Sequence, residues 1–118
     1  MSRSAITIYY NPRCTKSRQT LQLIRDTGVE PTIVEYLDNP PTVEELDGLV
    51  KKLGIEPADL FRRKEALFKE LGLVGKELSR NEALQTLAEN PKLIERPLVV
   101  KGRKAVLGRP PENVNELL

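Results

Sequence analysis

Ile6-Thr7-Ile8-Tyr9-Tyr10-Asn11-Pro12-Arg13-Cys14-Thr15-Lys16-Ser17-Arg18 is the stretch from which the fold can be read. Its first four residues are apolar or β-branched, the pattern of a strand entering a core. Asn11-Pro12 marks a turn. From Ser17 to Asp26 the residues suit a helix. Cys14 therefore falls where a strand gives way to a helix N-terminus. Backbone N–H groups are unpaired there and the helix dipole is positive. A thiol in that position ionises more readily, and an anion binds well beside it. Arg13, Lys16 and Arg18 add positive charge. A free cysteine is also often just a small buried residue, so the reading needs support from the rest of the chain.

Outward from that stretch, Leu21, Leu23 and Ile24 give the first helix an apolar stripe, and Gly28 suits its end. Thr32-Ile33-Val34-Glu35-Tyr36 reads as a second strand, and the β-α-β order implies a parallel pair. Asn39-Pro40-Pro41 breaks the pattern, and a helical section follows over about 42–90. Thr42 with Glu45, and Ser79 with Glu82, have capping-box spacing. Val43, Leu46, Leu49, Val50 and Leu53 supply one helical face. Pro57 suits a first helical position, in a short helix that Arg62 ends. Leu67, Phe68 and Leu71 form an apolar cluster, and Ala83, Leu84 and Leu87 line the next helix. Pro97-Leu98-Val99-Val100 and Lys104-Ala105-Val106-Leu107, joined by Lys101-Gly102-Arg103, read as an antiparallel hairpin. Val114, Leu117 and Leu118 predict a short terminal helix. The order β-α-β, helices, β-β-α is that of an α/β, thioredoxin-like mixed sheet carrying a helical insertion, one domain over residues 1–118.

Composition narrows the chemistry. The chain has 118 residues, 19 basic and 17 acidic, for a net charge of +2. These charges are interspersed, which gives no case for nucleic acid. No apolar run is long enough to span a bilayer. Met1-Ser2-Arg3-Ser4 has no signal-peptide pattern, and one cysteine forms no internal disulfide, so a cytoplasmic setting is expected. There is no histidine. That excludes Cys-His pairs, Ser-His-Asp triads and histidine-based metal sites, and no metal is expected.

Cys14-Thr15-Lys16-Ser17 lacks the second cysteine of a Cys-x-x-Cys pair. If Cys14 is oxidised in a cycle, the resolving thiol must come from outside. Ser17 can cap the helix or donate a hydrogen bond to the sulfur. A thiol of pKa about 8.5 is only about 3% ionised at pH 7, and a pKa near 6.5 makes it about 75% ionised. Intrinsic nucleophilicity falls roughly 10-fold over the same shift, so substrate capture must supply much of any catalysis. An oxyanion and a thiolate repel by about 4 kcal/mol per charge pair at 4 Å and an effective dielectric of 20. Such a site needs fixed positive charge, best from the planar fork of arginine. Arg62, Arg96 and Arg109, each beside a strand or helix end, are the candidates.

Three segments together resemble the ArsC-type, glutaredoxin-dependent arsenate reductases. They are Tyr10 to Arg18, Glu95-Arg96-Pro97-Leu98-Val99-Val100 and Leu107-Gly108-Arg109-Pro110-Pro111. Glu30-Pro31-Thr32 and Tyr36 to Thr42 extend the likeness along nearly the whole chain. The resemblance implies Cys14 as nucleophile and Arg62, Arg96 and Arg109 as oxyanion-binding residues. Asn11, Lys16, Ser17, Arg18 and Pro97 support them, with a cis Arg96–Pro97 bond. It implies arsenate or a related oxyanion as substrate, no bound cofactor, glutathione as co-substrate, glutaredoxin as transient partner, and a monomer. Two positions depart from the family pattern. Tyr10 stands where members often carry histidine, and Cys14-Thr15-Lys16-Ser17 where many have Cys-Gly-Thr-Ser. Lys16 offers a replacement positive charge. Two other readings stay open: a glutathione-dependent thiol oxidoreductase without an arsenate role, and a Spx-like transcription regulator, which Ser17 in place of a second cysteine disfavours.

Overall fold

A computed structural model describes residues 5–118, so the reading of Met1-Ser2-Arg3-Ser4 lies outside the described residues. The chain divides into two compact units. One comprises the described residues up to Asn39 together with Arg96–Leu118, and the other is Pro40–Glu95, slightly wider than the expected insertion.

The first unit is a four-stranded sheet in the order β2-β1-β3-β4, the mixed thioredoxin-like arrangement. Its strands are β1 (Ile6–Tyr10), β2 (Thr32–Glu35), β3 (Leu98–Lys101) and β4 (Lys104–Leu107), with helix α1 at Thr15–Asp26. β1 runs parallel to β2, with Tyr10 paired to Glu35. It runs antiparallel to β3, with Ile8 opposite Val99. β3 and β4 form the hairpin, with Leu98 opposite Leu107 and Lys101 opposite Lys104. Its two-residue loop has Gly102 at φ 62° followed by Arg103 at negative φ, the φ pattern of a type II′ turn. That turn matches the twist of the flanking strands and wants glycine first.

Alternation on β1 sends Ile6 and Ile8 to one face. They pack with Leu21 and Ile24 of α1, with Val99 and Val106, and with Val114 and Leu117. The last two come from a 3-10 segment, Pro111–Leu117. The terminal segment is thus tighter than the expected α-helix, and Leu118 is exposed. α1 begins at Thr15, two residues earlier than read from sequence, and its buried line is Ser17, Thr20, Leu21 and Ile24. Leu23, placed on the apolar stripe by sequence, is only partly buried. β2 stops at Glu35, and Tyr36 is buried beyond the strand.

The second unit holds α2 (Val43–Leu53), α3 (Ala66–Glu70) and α4 (Arg80–Glu89). Both expected capping boxes are present: Thr42 and Glu45 exchange side-chain-to-backbone hydrogen bonds at 3.1 Å, and Ser79 and Glu82 do the same at 2.9 and 3.1 Å. Each satisfies two N–H groups that would otherwise lack partners. Leu46, Leu49 and Val50 of α2 are buried, as are Ala83, Leu84 and Leu87 of α4. Phe61 and Phe68 meet edge to face with centroids 5.6 Å apart. Of the expected 67–71 cluster only Phe68 is buried, and Leu71 is exposed. The short helix before Arg62 is a 3-10 segment, Pro57–Leu60, so Arg62 lies two residues past its end rather than on it. Among the described residues no helix is long and apolar enough to cross a membrane.

Candidate functional site

Cys14 is the residue immediately before α1, with extended backbone, and its carbonyl accepts the N–H of Arg18 at 3.1 Å. The turn that delivers it is closed by the Cys14 N–H on the Asn11 carbonyl at 3.0 Å. The Asn11 side-chain oxygen accepts the Arg13 N–H at 3.0 Å, which fixes the bend. Arg18 reaches back from the helix, donating to the Pro12 carbonyl at 2.8 Å and to Thr15 Oγ1 at 3.2 Å. Its guanidinium therefore ties the loop to the helix start.

Ser17 is fully buried. Its Oγ accepts the Asn11 N–H at 3.4 Å, which leaves its own proton for the Cys14 sulfur. Burial pushes the Cys14 thiol up. The Ser17 N–H and hydroxyl, the Arg96 guanidinium and the Lys16 N–H outweigh that and hold it below its ordinary value. The depression expected from sequence is present, and the N–H groups at the helix start contribute as expected, but the side-chain charge that helps is a different one. Lys16 acts through its backbone, Arg18 is engaged with the loop, and the arginine whose charge lowers the thiol is Arg96.

Arg96 precedes β3 and is joined to Pro97 by a cis peptide bond; Arg109–Pro110 is also cis. Arg109 donates to the Arg96 carbonyl at 3.3 Å. The two arginines therefore stand together at one end of the hairpin. Residues that sequence reasoning missed hold them there. Asn113 Nδ2 donates to the carbonyls of Leu107 at 3.0 Å and Arg109 at 3.2 Å. The Gly108 N–H donates to the Pro97 carbonyl at 2.9 Å, and the Thr20 hydroxyl to the Gly108 carbonyl at 3.5 Å. A Cβ at Gly108 would lie 2.6 Å from Thr20 Oγ1 and 2.8 Å from Pro97 Cγ, so only glycine fits. Gly108 thus seats α1 against the Pro97 segment, and with it the elements that carry Cys14 and Arg96.

Arg62 belongs to the second unit. It donates to the Lys92 carbonyl at 3.3 Å and pairs with Glu65 at 3.3 Å, and Glu65 also takes Lys92 at 3.3 Å. Its backbone N–H is held by the Leu93 carbonyl at 2.7 Å. In the first unit, then, the structure gathers Cys14, Asn11, Lys16, Ser17, Arg18, Arg96, Pro97 and Arg109 around one loop and one hairpin end. A thiol poised for ionisation beside a fixed guanidinium can attack an electrophile and stabilise a nearby anion.

The ArsC family model matches residues 9–117 of the chain. The chain belongs to the ArsC family. An arsenate reductase of Haemophilus influenzae is 44% identical over 115 residues, covering 97% of this chain and 99% of that protein. The uncharacterized protein YfgD of Escherichia coli (strain K12) is 49% identical over 114 residues, 96% of each chain. Among solved structures, an arsenate reductase from Vibrio cholerae superposes with a TM-score of 0.93 at 46% identity, over 99% of this chain and all of that one. The matched span of this ArsC-family chain contains the Cys14 loop, Arg62, the Arg96–Pro97 segment and Arg109.

Proposed function

We propose that this chain is an arsenate reductase that depends on glutathione and glutaredoxin. The observation that carries the reading is Cys14 at the start of α1, its thiol held below its ordinary value by Ser17, Lys16 and Arg96. The relatives named arsenate reductase support the choice of oxyanion.

Arg96 and Arg109 offer the arsenate oxygens positive charge at one hairpin end, offsetting their repulsion from the thiolate. Arg62 is the third oxyanion arginine on the family resemblance alone. The Cys14 thiolate attacks arsenic and forms an S–As bond, and a protonated arsenate oxygen leaves as hydroxide or water. Glutathione then adds its thiolate to this adduct. The two sulfurs end as a mixed disulfide on Cys14, giving two electrons to arsenic, and arsenite departs. A glutaredoxin thiol takes the glutathione moiety and returns Cys14 to the thiolate. No internal thiol replaces these steps, because Cys14 is the chain's single cysteine.

The test is arsenite production by the purified protein with glutathione and glutaredoxin. Activity in the native chain and none in Cys14→Ser is the expected pair of results. Full activity in Cys14→Ser refutes the nucleophile assignment. Disulfide reduction without arsenite production moves the protein to the alternative, a glutathione-dependent thiol oxidoreductase, which the same Cys14–Ser17 arrangement serves. A Spx-like regulator is disfavoured by the buried Ser17, which stands where a redox switch would place its second thiol.

A further inference from the structure

The ends of the parallel strands β1 and β2 lie side by side, with Tyr10 paired to Glu35. Beyond that pair the chain leaves β1 toward Cys14 and leaves β2 into a turn, with the Asp38 N–H on the Glu35 carbonyl at 3.0 Å. Between the two exits is a groove of about 330 Å³, lined by the Tyr10 to Arg13 stretch together with Glu35, Leu37 and Asp38. That volume is at the small end of ligand sites, which start at about 300 Å³. Ligands of open α/β sheets bind outside the C-terminal ends of parallel strands.

Residues of both charge signs line it: the acidic Glu35 and Asp38, and the basic Arg13. None of the three has an ion-pair partner among the described residues. Leu37 adds an exposed apolar side chain. The groove is lined by the turn residues Asn11, Pro12 and Arg13, the last of which immediately precedes Cys14 in the chain. Three extended residues span about 10 Å, enough for a small peptide thiol to lie in the groove and present its sulfur to Cys14.

We propose that this groove holds the α-amino-acid head of the thiol that resolves Cys14, with Glu35 and Asp38 taking its ammonium group and Arg13 its carboxylate. The inference rests on the reading that an external thiol completes the cycle. It adds where that thiol docks and which of its groups the chain recognises.

The test uses thiol–disulfide exchange on the full chain, with no arsenic present. The Cys14 thiolate attacks one sulfur of oxidised glutathione. A Cys14–glutathione disulfide forms, the original S–S bond breaks, and the departing glutathione thiolate takes a proton from water. The Cys14 sulfur is oxidised and the departing sulfur reduced. The rate constant is measured by mass spectrometry for oxidised glutathione and for bis(2-hydroxyethyl) disulfide, which is neutral. Each exposed ion contact is worth a factor of about 1.5 to 5. The ratio of the two rate constants should therefore fall about 2- to 25-fold in Glu35→Gln/Asp38→Asn. The sign is decisive. Oxidised glutathione carries net negative charge, so long-range electrostatics alone would raise the ratio when two carboxylates are removed. An unchanged or raised ratio overturns the proposal. Because this exchange needs no arsenate, a failure to produce arsenite refutes the reductase reading and leaves the groove to be judged on the ratio.

Discussion

Gly108→Ala is the sharpest test of how the site is assembled. The added Cβ would sit 2.6 Å from Thr20 Oγ1, 2.8 Å from Pro97 Cγ and 3.1 Å from Thr20 Cγ2. Comfortable contact between such atoms needs about 3.5–4.0 Å. Thr20 is fully buried on α1 and Pro97 is buried, so neither neighbour is a flexible surface chain that can swing aside. Forcing a methyl into such packing costs about 1–3 kcal/mol. For a chain of this size that lowers the melting temperature by roughly 4–12 °C. The relief available is a separation of α1 from the Pro97 segment, which moves Cys14 away from Arg96. The thiol should therefore titrate closer to its ordinary value as stability falls. Thr20→Ala removes two of the three clashing atoms, so the cost of Gly108→Ala should shrink in that background by about 0.5–2 kcal/mol. The assays are denaturant unfolding of the four proteins of this cycle and ultraviolet titration of the thiolate. A Gly108→Ala protein within about 0.5 kcal/mol of the native one, or an equal cost with and without Thr20, would refute the wedge.

Ser17→Ala removes a donor to the sulfur and leaves the Asn11 N–H without its acceptor, so the thiol midpoint should rise. Because the folded thiol lies below its ordinary value, Cys14 ionisation adds stability as pH rises through the folded midpoint toward the unfolded one, and this gain is lost on acidification. The native chain should show that rise in denaturant midpoint, and Cys14→Ser should not. Arg96→Lys and Arg109→Lys keep the charge and lose the planar fork, which should cost about 2–4 kcal/mol in arsenate turnover, roughly 30- to 1000-fold. Steady-state arsenite assays check this, and near-native rates in both variants would count against the oxyanion role. Asn113→Ala frees the carbonyls of Leu107 and Arg109, so it should raise KM for arsenate while the protein stays folded, as read by its melting temperature. Asn113→Asp keeps the shape without the donors and should not rescue it.

What the sequence revealed and what it hid follow from range. The strands, the hairpin and both capping boxes are carried by neighbours within a few residues, and the parallel pairing follows from the β-α-β order, so all were legible. Cys14 stood out for the same reason. The buried face of α1 was misread toward Leu23 because periodicity counts apolar residues, whereas Ser17 and Thr20 are buried for what they touch. The helix could not be seen to start at Thr15, because Cys14 rather than a side-chain oxygen precedes it. Asn113 was invisible because its partners depend on the chain reversing at Pro110 and Pro111. The groove was invisible too, since Glu35 and Asp38 come to line one groove with Arg13 only through the register of two strands far apart in sequence.

That register has a counterpart in the hairpin. Leu98 faces Leu107, so Arg96 and Arg109 lie two residues outside the same pair, one before β3 and one after β4. Their spacing is set at the far end of the ladder, where Gly102 and Arg103 turn the chain in two residues. The tip of the hairpin is in effect a ruler for the arginine pair. One residue inserted there would touch nothing near Cys14. It would nevertheless slide β4 by one step, about 3.3 Å, and turn Val106 from the core to the opposite face. Turn length at the remote tip is therefore as much a determinant of the anion-binding end as the arginines themselves.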